Sequence, residues 1–264
     1  MTDELVLVDV ADRVATITLN RPEARNALNG ELIEGLRSRL GDCDADDSID
    51  VMVLTGADPA FCAGLDLGYL SERAQRRAAG EDIFPTVPLG ASAEPPTGKP
   101  VIGAVNGAAV TGGLEVALAC DLLIASERAR FADTHARVGI VPGWGLTVAL
   151  PEAVGIRRAR EMSATGNFVD AATALSWGLV NHVVPHDELL SFTHALAVDI
   201  ASTDQVALRH LYATYRAEAA LVDGPRFDLE WGRYREWQDA SPDAGAAIAA
   251  RRASVIERGR SQQG

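Results

Sequence analysis

A single glutamate lies within a run of small and apolar residues: Glu115 in "NGAAVTGGLEVALACD", where the next carboxylate is Asp121. Burial of a lone charged carboxylate is unfavourable, so an acid in such a run needs an explanation. Carboxyl groups in apolar pockets have raised pKa values and move protons near neutral pH. We therefore predict that Glu115 is a catalytic acid or base. The structural alternative is an exposed glutamate on an amphipathic helix.

Two strand-to-helix turns rich in small residues stand out, "FCAGLDL" (61–67) and "GAAVTGGLE" (107–115). Small residues let a ligand approach the backbone, and the start of a helix presents free N–H groups. Two such turns from neighbouring strands would direct two N–H groups at one oxygen, as in an oxyanion hole for a carbonyl that gains negative charge. Neither turn matches a phosphate-binding P-loop or a dinucleotide-binding G-x-G-x-x-G. Tight helix–strand packing is the alternative explanation for these glycines.

Alternating strands and helices position these turns. "LVLVDV" and "RVATITLN" predict a hairpin that turns at Ala11–Asp12, and the leucines of "NGELIEGLRSRL" follow a helical spacing with Asn29 as cap. The runs "DVMVLTG", "KPVIGAVNG" and "DLLIAS" are apolar throughout, which is typical of buried parallel strands. The pattern predicts an α/β fold with a parallel sheet covered by helices on both faces.

The remaining segments differ in character. Residues 71–98 mix charge, Pro, Gly and Ala without a period, which predicts a variable loop or lid. After Asp187 the pattern is helical and rich in Trp and Tyr, and Ser241 and Pro242 open a last helix. We therefore predict a core over residues 1–187 and a helical oligomerisation module over residues 188–264.

Composition limits the classes of function. The 264 residues carry a net charge of −13, which argues against a general binder of nucleic acid or anionic membranes but leaves room for a local basic pocket for a phosphorylated ligand. The three cysteines and five histidines match no disulfide scaffold or metal motif. No apolar stretch is long enough to span a membrane, and the N-terminus lacks the pattern of a signal peptide. We expect a cytoplasmic protein.

The motifs resemble those of the crotonase superfamily, also called the enoyl-CoA hydratase/isomerase family. The resemblance rests on "AFCAGLDL", "KPVIGAVNGAAVTGGLEVALACDLLIAS" and "FADTHARVGIVPGWG", and it extends over roughly residues 5–260. It implies a spiral of ββα turns, a C-terminal trimerisation module, acyl-CoA thioester substrates and a homotrimer or dimer of trimers. Coenzyme A is then part of the substrate, and no separate cofactor is expected.

By position in these motifs, the resemblance assigns roles to individual residues. It implies that the N–H groups of Leu65 and Gly112 form the oxyanion hole, and that Glu115 is the first of two catalytic glutamates. Trp144 is expected to line the acyl pocket, with core packing as its alternative. The residues expected to contact the CoA thioester are Arg25, Ala27, Ala63, Asp66, Leu67 and Gly113.

One position departs from the family. The second catalytic glutamate of the hydratases is replaced by His135, with Asp133 two residues earlier and, in an extended segment, on the same side. His135 is either a substitute base or a structural histidine. The resemblance favours an enoyl-CoA hydratase, while the substitution keeps open a single-base isomerase, a hydrolase, a decarboxylase or a non-catalytic acyl-CoA binder. The segment "GIVPGWG" lacks the aspartate of the family's dehalogenases.

Overall fold

A computed structural model describes residues 4–79, 97–240 and 244–263 of the chain. The strands are β1 (Val6–Ala11), β2 (Val14–Leu19), β3 (Val51–Gly56), β4 (Ala60–Cys62), β5 (Val101–Val105), β6 (Ala108–Val110), β7 (Leu122–Ser126), β8 (Arg130–Ala132), β9 (Val169–Asp170) and β10 (His182–Val184). The helices are α1 (Gly30–Ala45), α2 (Leu67–Ala78), α3 (Gly112–Leu118), α4 (His135–Val138), α5 (Leu146–Val154), α6 (Ile156–Thr165), α7 (Ala171–Trp177), α8 (Leu189–Ala201), α9 (Gln205–Ala240) and α10 (Ala244–Gln263). Short 3-10 turns occupy Pro22–Ala24 and His186–Glu188.

The strands form two sheets. The larger has the order β1-β2-β3-β5-β7-β10 and is parallel from β2 onward, while the smaller has the order β4-β6-β8-β9. Each of three successive strands of the large sheet is followed by a short strand of the small sheet and then by a helix: β3-β4-α2, β5-β6-α3 and β7-β8-α4. This is the ββα spiral that the family resemblance implied. The hydrophobic pattern alone predicted a single sheet and missed the smaller one. Strands of three residues are too short to show a period.

The early elements follow their local sequence. Asn29 caps α1 as predicted, with its side chain accepting from the Leu32 N–H at 2.9 Å. The β1–β2 hairpin turns one residue later than expected, at Asp12 and Arg13, which both have positive φ. Two positive φ values in a two-residue loop match the right-handed twist of the paired strands.

Two predicted boundaries need correction. The first residues of the 71–98 segment are helical, because α2 extends to Ala78 and packs against α10. Ala79, Thr97 and Gly98 are also described, and residues 80–96 of that segment lie outside the described residues. In addition, α8 packs on the large sheet, where Leu189 and Ala197 join one buried cluster with strand residues. The predicted division after residue 187 therefore passes through the packed core.

The C-terminal third is helical, as predicted. Its helix α9 is continuous and runs through Gly224 and Pro225. The expected cap Ser241 and helix-opening Pro242 lie outside the described residues, and α10 is described from Ala244. Within the described ranges, no helix combines the length and hydrophobicity that crossing a bilayer requires.

Lys99, the one lysine of the sequence, is buried beside the end of α1. Its Nζ donates to the carbonyl oxygens of Cys43 at 2.8 Å and Asp46 at 2.7 Å. The last carbonyls of a helix have no partner within the helix, so a cation there satisfies and stabilises them. Lys99 thus joins the end of α1 to the start of β5.

Candidate active site

The backbone amides of Leu65 and Gly112, to which the family resemblance assigned an oxyanion hole, are neighbours in the structure. Leu65 forms an isolated parallel bridge with Leu28 through the Gly64 carbonyl and the Asp66 N–H. In a parallel bridge the central residue's own N–H points to the opposite side, away from its partner. Gly112 is the first residue of α3, where N–H groups lack intrahelical partners. A Cβ built on Gly112 would lie 3.5 Å from the Leu65 nitrogen, so the two amides are neighbours.

Unusual backbone conformations precede both amides. Gly64 has φ of 93°, and Thr111, which is not a glycine, has φ of 55° and ψ of −115°. A side chain in this region of φ/ψ space is strained, and such strain concentrates at functional sites. The Thr111 hydroxyl hydrogen-bonds that of Thr134 at 2.5 Å, and its N–H donates to Ala132 at 2.9 Å. These contacts hold the peptide that presents the Gly112 N–H.

Gly113 has a packing role, and its predicted ligand contact stays a prediction. A Cβ at this position would lie 2.1 Å from the Cys62 carbonyl oxygen. The absence of a side chain therefore lets α3 approach β4 closely. Gly113 is buried and is not among the residues that line the cavity beside the site.

Glu115 is buried at 3% exposure, on a helix that has no exposed face. This excludes the alternative of a solvated glutamate on an amphipathic helix. Its Oε1 accepts a hydrogen bond from the Trp144 backbone N–H at 3.0 Å. Its Oε2 lies 3.5 Å from Nε2 of His135. The carboxylate is thus held on one side by a neutral donor and faces a histidine on the other.

His135 completes a buried Asp–His–Glu series. Its Nδ1 lies 2.7 Å from Oδ1 of Asp133, and its backbone N–H donates to the same oxygen at 3.1 Å. Burial lowers the pKa of His135, but the hydrogen bonds and charges of Asp133 and Glu115 together raise it to about 9. The same pairing holds the pKa of Asp133 below its ordinary value although burial opposes this. At neutral pH the ring is therefore an imidazolium, with Nδ1–H donating to Asp133 and Nε2–H facing Glu115.

This charge state refines the sequence-based hypothesis. A histidine that acts as a base must be neutral, and a carboxylate close to it favours the charged ring. The predicted proximity and the upward shift are both confirmed. A cation at neutral pH donates a proton rather than accepting one, so the geometry favours His135 as an acid and Glu115 as the base.

Two roles were considered for Trp144, namely lining the acyl pocket and packing in the core. It is 8% exposed and belongs to the main hydrophobic cluster. Its Cζ3 would lie 3.5 Å from a Cβ on Gly112, which places the ring beside the oxyanion amides. Its backbone N–H binds Glu115. Trp144 therefore packs in the core, and its predicted place in the wall of the acyl pocket stays a prediction, because it is not among the residues that line the neighbouring cavity.

Glu230 on α9 is a buried carboxylate near the site that the sequence analysis missed. It accepts from the N–H groups of Gly145 at 2.5 Å and Thr147 at 2.6 Å, and from the Thr147 hydroxyl. Burial raises its pKa, the charge of Glu115 adds to the rise, and the hydrogen bonds from Thr147 and Gly145 oppose it. No local motif marks this residue, because its partners lie more than eighty positions earlier in the chain.

A cavity of about 370 Å³ opens beside Leu65 and Thr111. It contains the residues predicted to contact the CoA thioester, apart from Gly113 and Trp144: Arg25, Ala27, Ala63, Asp66 and Leu67. Four arginines line it, namely Arg25, Arg137, Arg258 and Arg260, although the protein as a whole is acidic. Asp66 accepts a hydrogen bond from Arg21 at 2.8 Å, which pairs its charge.

Metal binding and the histidines outside this site offer little further chemistry among the described residues. Over the ranges 4–79, 97–240 and 244–263, no group of three or more His, Cys, Asp or Glu side chains is arranged to hold a metal ion. His182 and His186 lie on either side of Pro185, in β10 and the following 3-10 turn. His186 contacts Asp58 at 3.1 Å and Ser126 at 3.0 Å, away from the residues described above.

Comparison with known proteins agrees with this geometry. A sequence model of the family described as "Enoyl-CoA hydratase/isomerase" matches residues 9–241. The chain is 37% identical over 216 residues to "Probable enoyl-CoA hydratase 1, peroxisomal" of Arabidopsis thaliana, covering 82% of this chain and 77% of that protein. It is 38% identical to a probable enoyl-CoA hydratase of Mycobacterium bovis, with 85% and 86% coverage. The crystal structure of an enoyl-CoA hydratase from Mycobacterium tuberculosis H37Rv superposes with a TM-score of 0.79 at 47% identity, covering 90% of this chain and 99% of that one.

Proposed function

The chain belongs to the enoyl-CoA hydratase/isomerase family, and on that premise we propose that it hydrates 2-enoyl-CoA thioesters. The observation that carries the proposal is the buried pair of Glu115 and His135, 3.5 Å apart, together with the neighbouring backbone amides of Leu65 and Gly112. The relatives named above as enoyl-CoA hydratases support the same assignment.

The two amides act on the thioester carbonyl. Addition of water to C3 of a conjugated enoyl thioester moves negative charge onto the carbonyl oxygen, as an enolate. The N–H groups of Leu65 and Gly112 donate to that oxygen and stabilise the charge as it develops. Removal of one such donor from an oxyanion hole typically reduces the rate by about 10²–10³-fold.

Proton transfer divides between the two side chains. Glu115 accepts a proton from water as the water oxygen bonds to C3, and His135 donates its Nε2 proton to C2 of the enolate. The protonated Glu115 then returns its proton to the neutral Nε2 of His135, across the short gap between them. The product gains one hydroxyl at C3 and one hydrogen at C2, and both side chains regain their starting charge. Asp133 keeps Nδ1 protonated throughout, which leaves Nε2 as the reacting nitrogen.

The cavity supplies a site for the CoA portion. Its four arginines match the negative phosphates of CoA, and Nε of Arg258 has no hydrogen-bond partner within the described structure. Guanidinium groups bind phosphate oxygens through paired, charge-assisted hydrogen bonds. Leu65 and Thr111 are among the residues that line the cavity, so a thioester held there lies beside the amides of Leu65 and Gly112.

Turnover of purified protein tests the proposal. Crotonyl-CoA should lose its conjugated absorbance and give a 3-hydroxyacyl-CoA by mass spectrometry. A Glu115→Gln variant should lose this activity, whereas Glu31→Gln, at an exposed site on α1, is the matched control. Conversion of 3-enoyl-CoA without hydration would instead support the single-base isomerase. Release of free CoA or of carbon dioxide would support a hydrolase or a decarboxylase, and binding without any turnover a non-catalytic role.

We also propose that the protein is a homotrimer or a dimer of trimers. Its support is the set of large apolar side chains exposed along α9: Val206, Leu211, Tyr215, Leu221, Val222 and Leu229. An apolar face of this size on a helix is typical of an interface. Light scattering should give three or six times the chain mass of 27.9 kDa. A monomer at micromolar concentration would contradict the proposal.

A cytoplasmic location is likewise a proposal. It is supported by Cys43, Cys62 and Cys120, which are free thiols rather than disulfides. The Arabidopsis relative is named peroxisomal, so fractionation of cells that express the tagged full chain is the direct test.

A further inference from the structure

Glu230 is a buried carboxylate that the proton transfers do not use. It is 7% exposed and projects from α9 into the segment before α5. Three donors satisfy it: the N–H groups of Gly145 and Thr147 and the Thr147 hydroxyl. A carboxylate at the start of a helix is stabilised by the free N–H groups and by the helix dipole. Glu230 thus caps α5 from a distant part of the chain.

The capped residues adjoin the contact that holds Glu115. Trp144 directly precedes Gly145, and its N–H donates to Oε1 of Glu115 at 3.0 Å. Gly145 has φ of 95°, a conformation that only glycine adopts readily. The peptide that bears the Trp144 N–H is therefore followed directly by the turn at Gly145. Glu230 fixes that turn by accepting hydrogen bonds from the N–H groups of Gly145 and Thr147.

A second contact from α9 holds the other side of this segment. A Cβ on Gly143 would lie 2.9 Å from Cγ of Tyr234, so the tyrosine ring packs directly on that glycine. Tyr234 in turn stacks on Trp231 and Trp237, with ring centroids 5.3 Å and 6.4 Å away. The α9 helix therefore contacts this segment on both sides of Trp144, at Gly143 through Tyr234 and at Gly145 through Glu230.

We propose that Glu230 is a positioning residue for the reaction, which fixes Gly145 and Thr147 so that the Trp144 N–H holds Glu115 in its working orientation. This inference rests on the function proposed above, because it assigns Glu230 to the base of that reaction. A displacement of about 1 Å from a change remote from the chemistry can reduce the rate by about 10²-fold. Glu230 is not among the residues that line the CoA cavity, so we expect ligand affinity not to depend on it.

A Glu230→Gln variant tests the proposal. Glutamine keeps one acceptor oxygen and turns its amide toward an N–H donor, which breaks part of the cap. We expect kcat on crotonyl-CoA to fall about 10- to 100-fold, with KM and the Kd of acetyl-CoA unchanged within about twofold. Hydrogen–deuterium exchange of the amides of residues 144–148 should accelerate. Glu236→Gln is the matched control, because Glu236 lies on the same helix but is exposed and paired with Arg233.

A second pair of variants tests the proposal if Glu230→Gln does not fold. Thr147→Val removes only the hydroxyl donor and should lower kcat in the same direction by a smaller factor. Thr147→Ser keeps the hydroxyl and should recover most of the lost rate. A purely structural role for Glu230 would lower the Tm but leave kcat per CoA-binding site unchanged, and that result would overturn the proposal.

The exchange measurement separates the two proposals. Unchanged amide exchange at residues 144–148 in Glu230→Gln would overturn the positioning role whatever the turnover. Accelerated exchange with wild-type kcat would also overturn it. If the wild type converted no enoyl-CoA at all, the proposed function would fall, while the exchange data would still show whether Glu230 holds this segment.

Discussion

The charge on His135 leads to a prediction for Asp133→Asn. The asparagine oxygen still accepts from Nδ1 at the 2.7 Å contact, so the ring keeps its orientation and tautomer while the charge of Asp133 is lost. The hydrogen bonds and charges of Asp133 and Glu115 raise the pKa of His135 to about 9 despite its burial, so loss of the Asp133 charge should lower that pKa by about two units. Glu115, at 3.5 Å, is the other charged group that faces the ring and continues to favour the imidazolium.

The magnitude follows from the fraction of imidazolium. With a pKa of about 9, roughly nine-tenths of His135 is protonated at pH 8, whereas a pKa near 7 leaves about one-tenth. Because His135 acts as the proton donor, kcat/KM of the wild type should decline above pH about 9. In Asp133→Asn the decline should begin about two units lower, with a rate about tenfold below wild type at pH 8 and close to wild type at pH 6.

Stability should change in the same pH range. The folded-state pKa of His135 lies above the unfolded value of 6.5, so the stabilisation is complete below pH 6.5 and is lost as pH rises through about 9. A difference of that size corresponds to about 3 kcal/mol. Urea unfolding of wild type, Asp133→Asn and the exposed-site control Asp9→Asn at pH 6 and 9.5 measures it, alongside initial rates of crotonyl-CoA hydration. A basic limb that Asp133→Asn leaves in place would refute the reasoning, as would a wild type whose stability does not depend on pH over this range.

Three further predictions concern single side chains. Glu115→Gln should reduce turnover by about 10²–10⁴-fold while calorimetry shows acyl-CoA affinity nearly unchanged, because the oxyanion donors are backbone groups; wild-type turnover would exclude Glu115 as the base. His135→Ala should abolish hydration and His135→Glu should restore it by supplying the second glutamate of the hydratases, which assays of both proteins with crotonyl-CoA would show; brisk hydration by the alanine variant would exclude the Glu–His mechanism. Gly113→Ala should lower the free energy of unfolding by about 1–3 kcal/mol in urea titrations, since its Cβ would lie 2.1 Å from the Cys62 oxygen; an unchanged midpoint would show that α3 shifts freely.

The sequence predicts the site best where chemistry and local structure coincide. Glu115 was detectable because its neighbours are apolar. The two glycine-rich turns before helices suggested an oxyanion hole, and the family resemblance then named Leu65 and Gly112 within them. The proximity of Asp133 and His135 followed from their spacing, although His135 begins a short helix rather than continuing a strand. In each case the relevant contact lies within a few residues, or the family motif spans the segment.

Other features depend on contacts that no local pattern records. The three-residue strands β4 and β8 gain their hydrogen bonds only from distant neighbours, so no periodicity marks them. Gly113 was assigned to the ligand because a glycine beside a site permits either ligand or backbone approach, and here the backbone of Cys62 occupies that space. Glu230 lies 115 positions beyond Glu115, and its role follows from how α9 packs on the segment before α5.

The buried Lys99 has a consequence for the chemical durability of an acyl-CoA enzyme. Thioesters acylate unprotonated side-chain amines without any catalyst. A protein that binds thioester substrates is therefore exposed to acylation of its own lysine side chains. Here the sole lysine directs its ammonium group into the carbonyls of Cys43 and Asp46 and is 2% exposed. The positive charge that would meet CoA phosphates comes from arginine, whose guanidinium group stays protonated and does not react in this way. The folded chain therefore presents cationic side chains to its ligand without presenting a lysine that the ligand can modify.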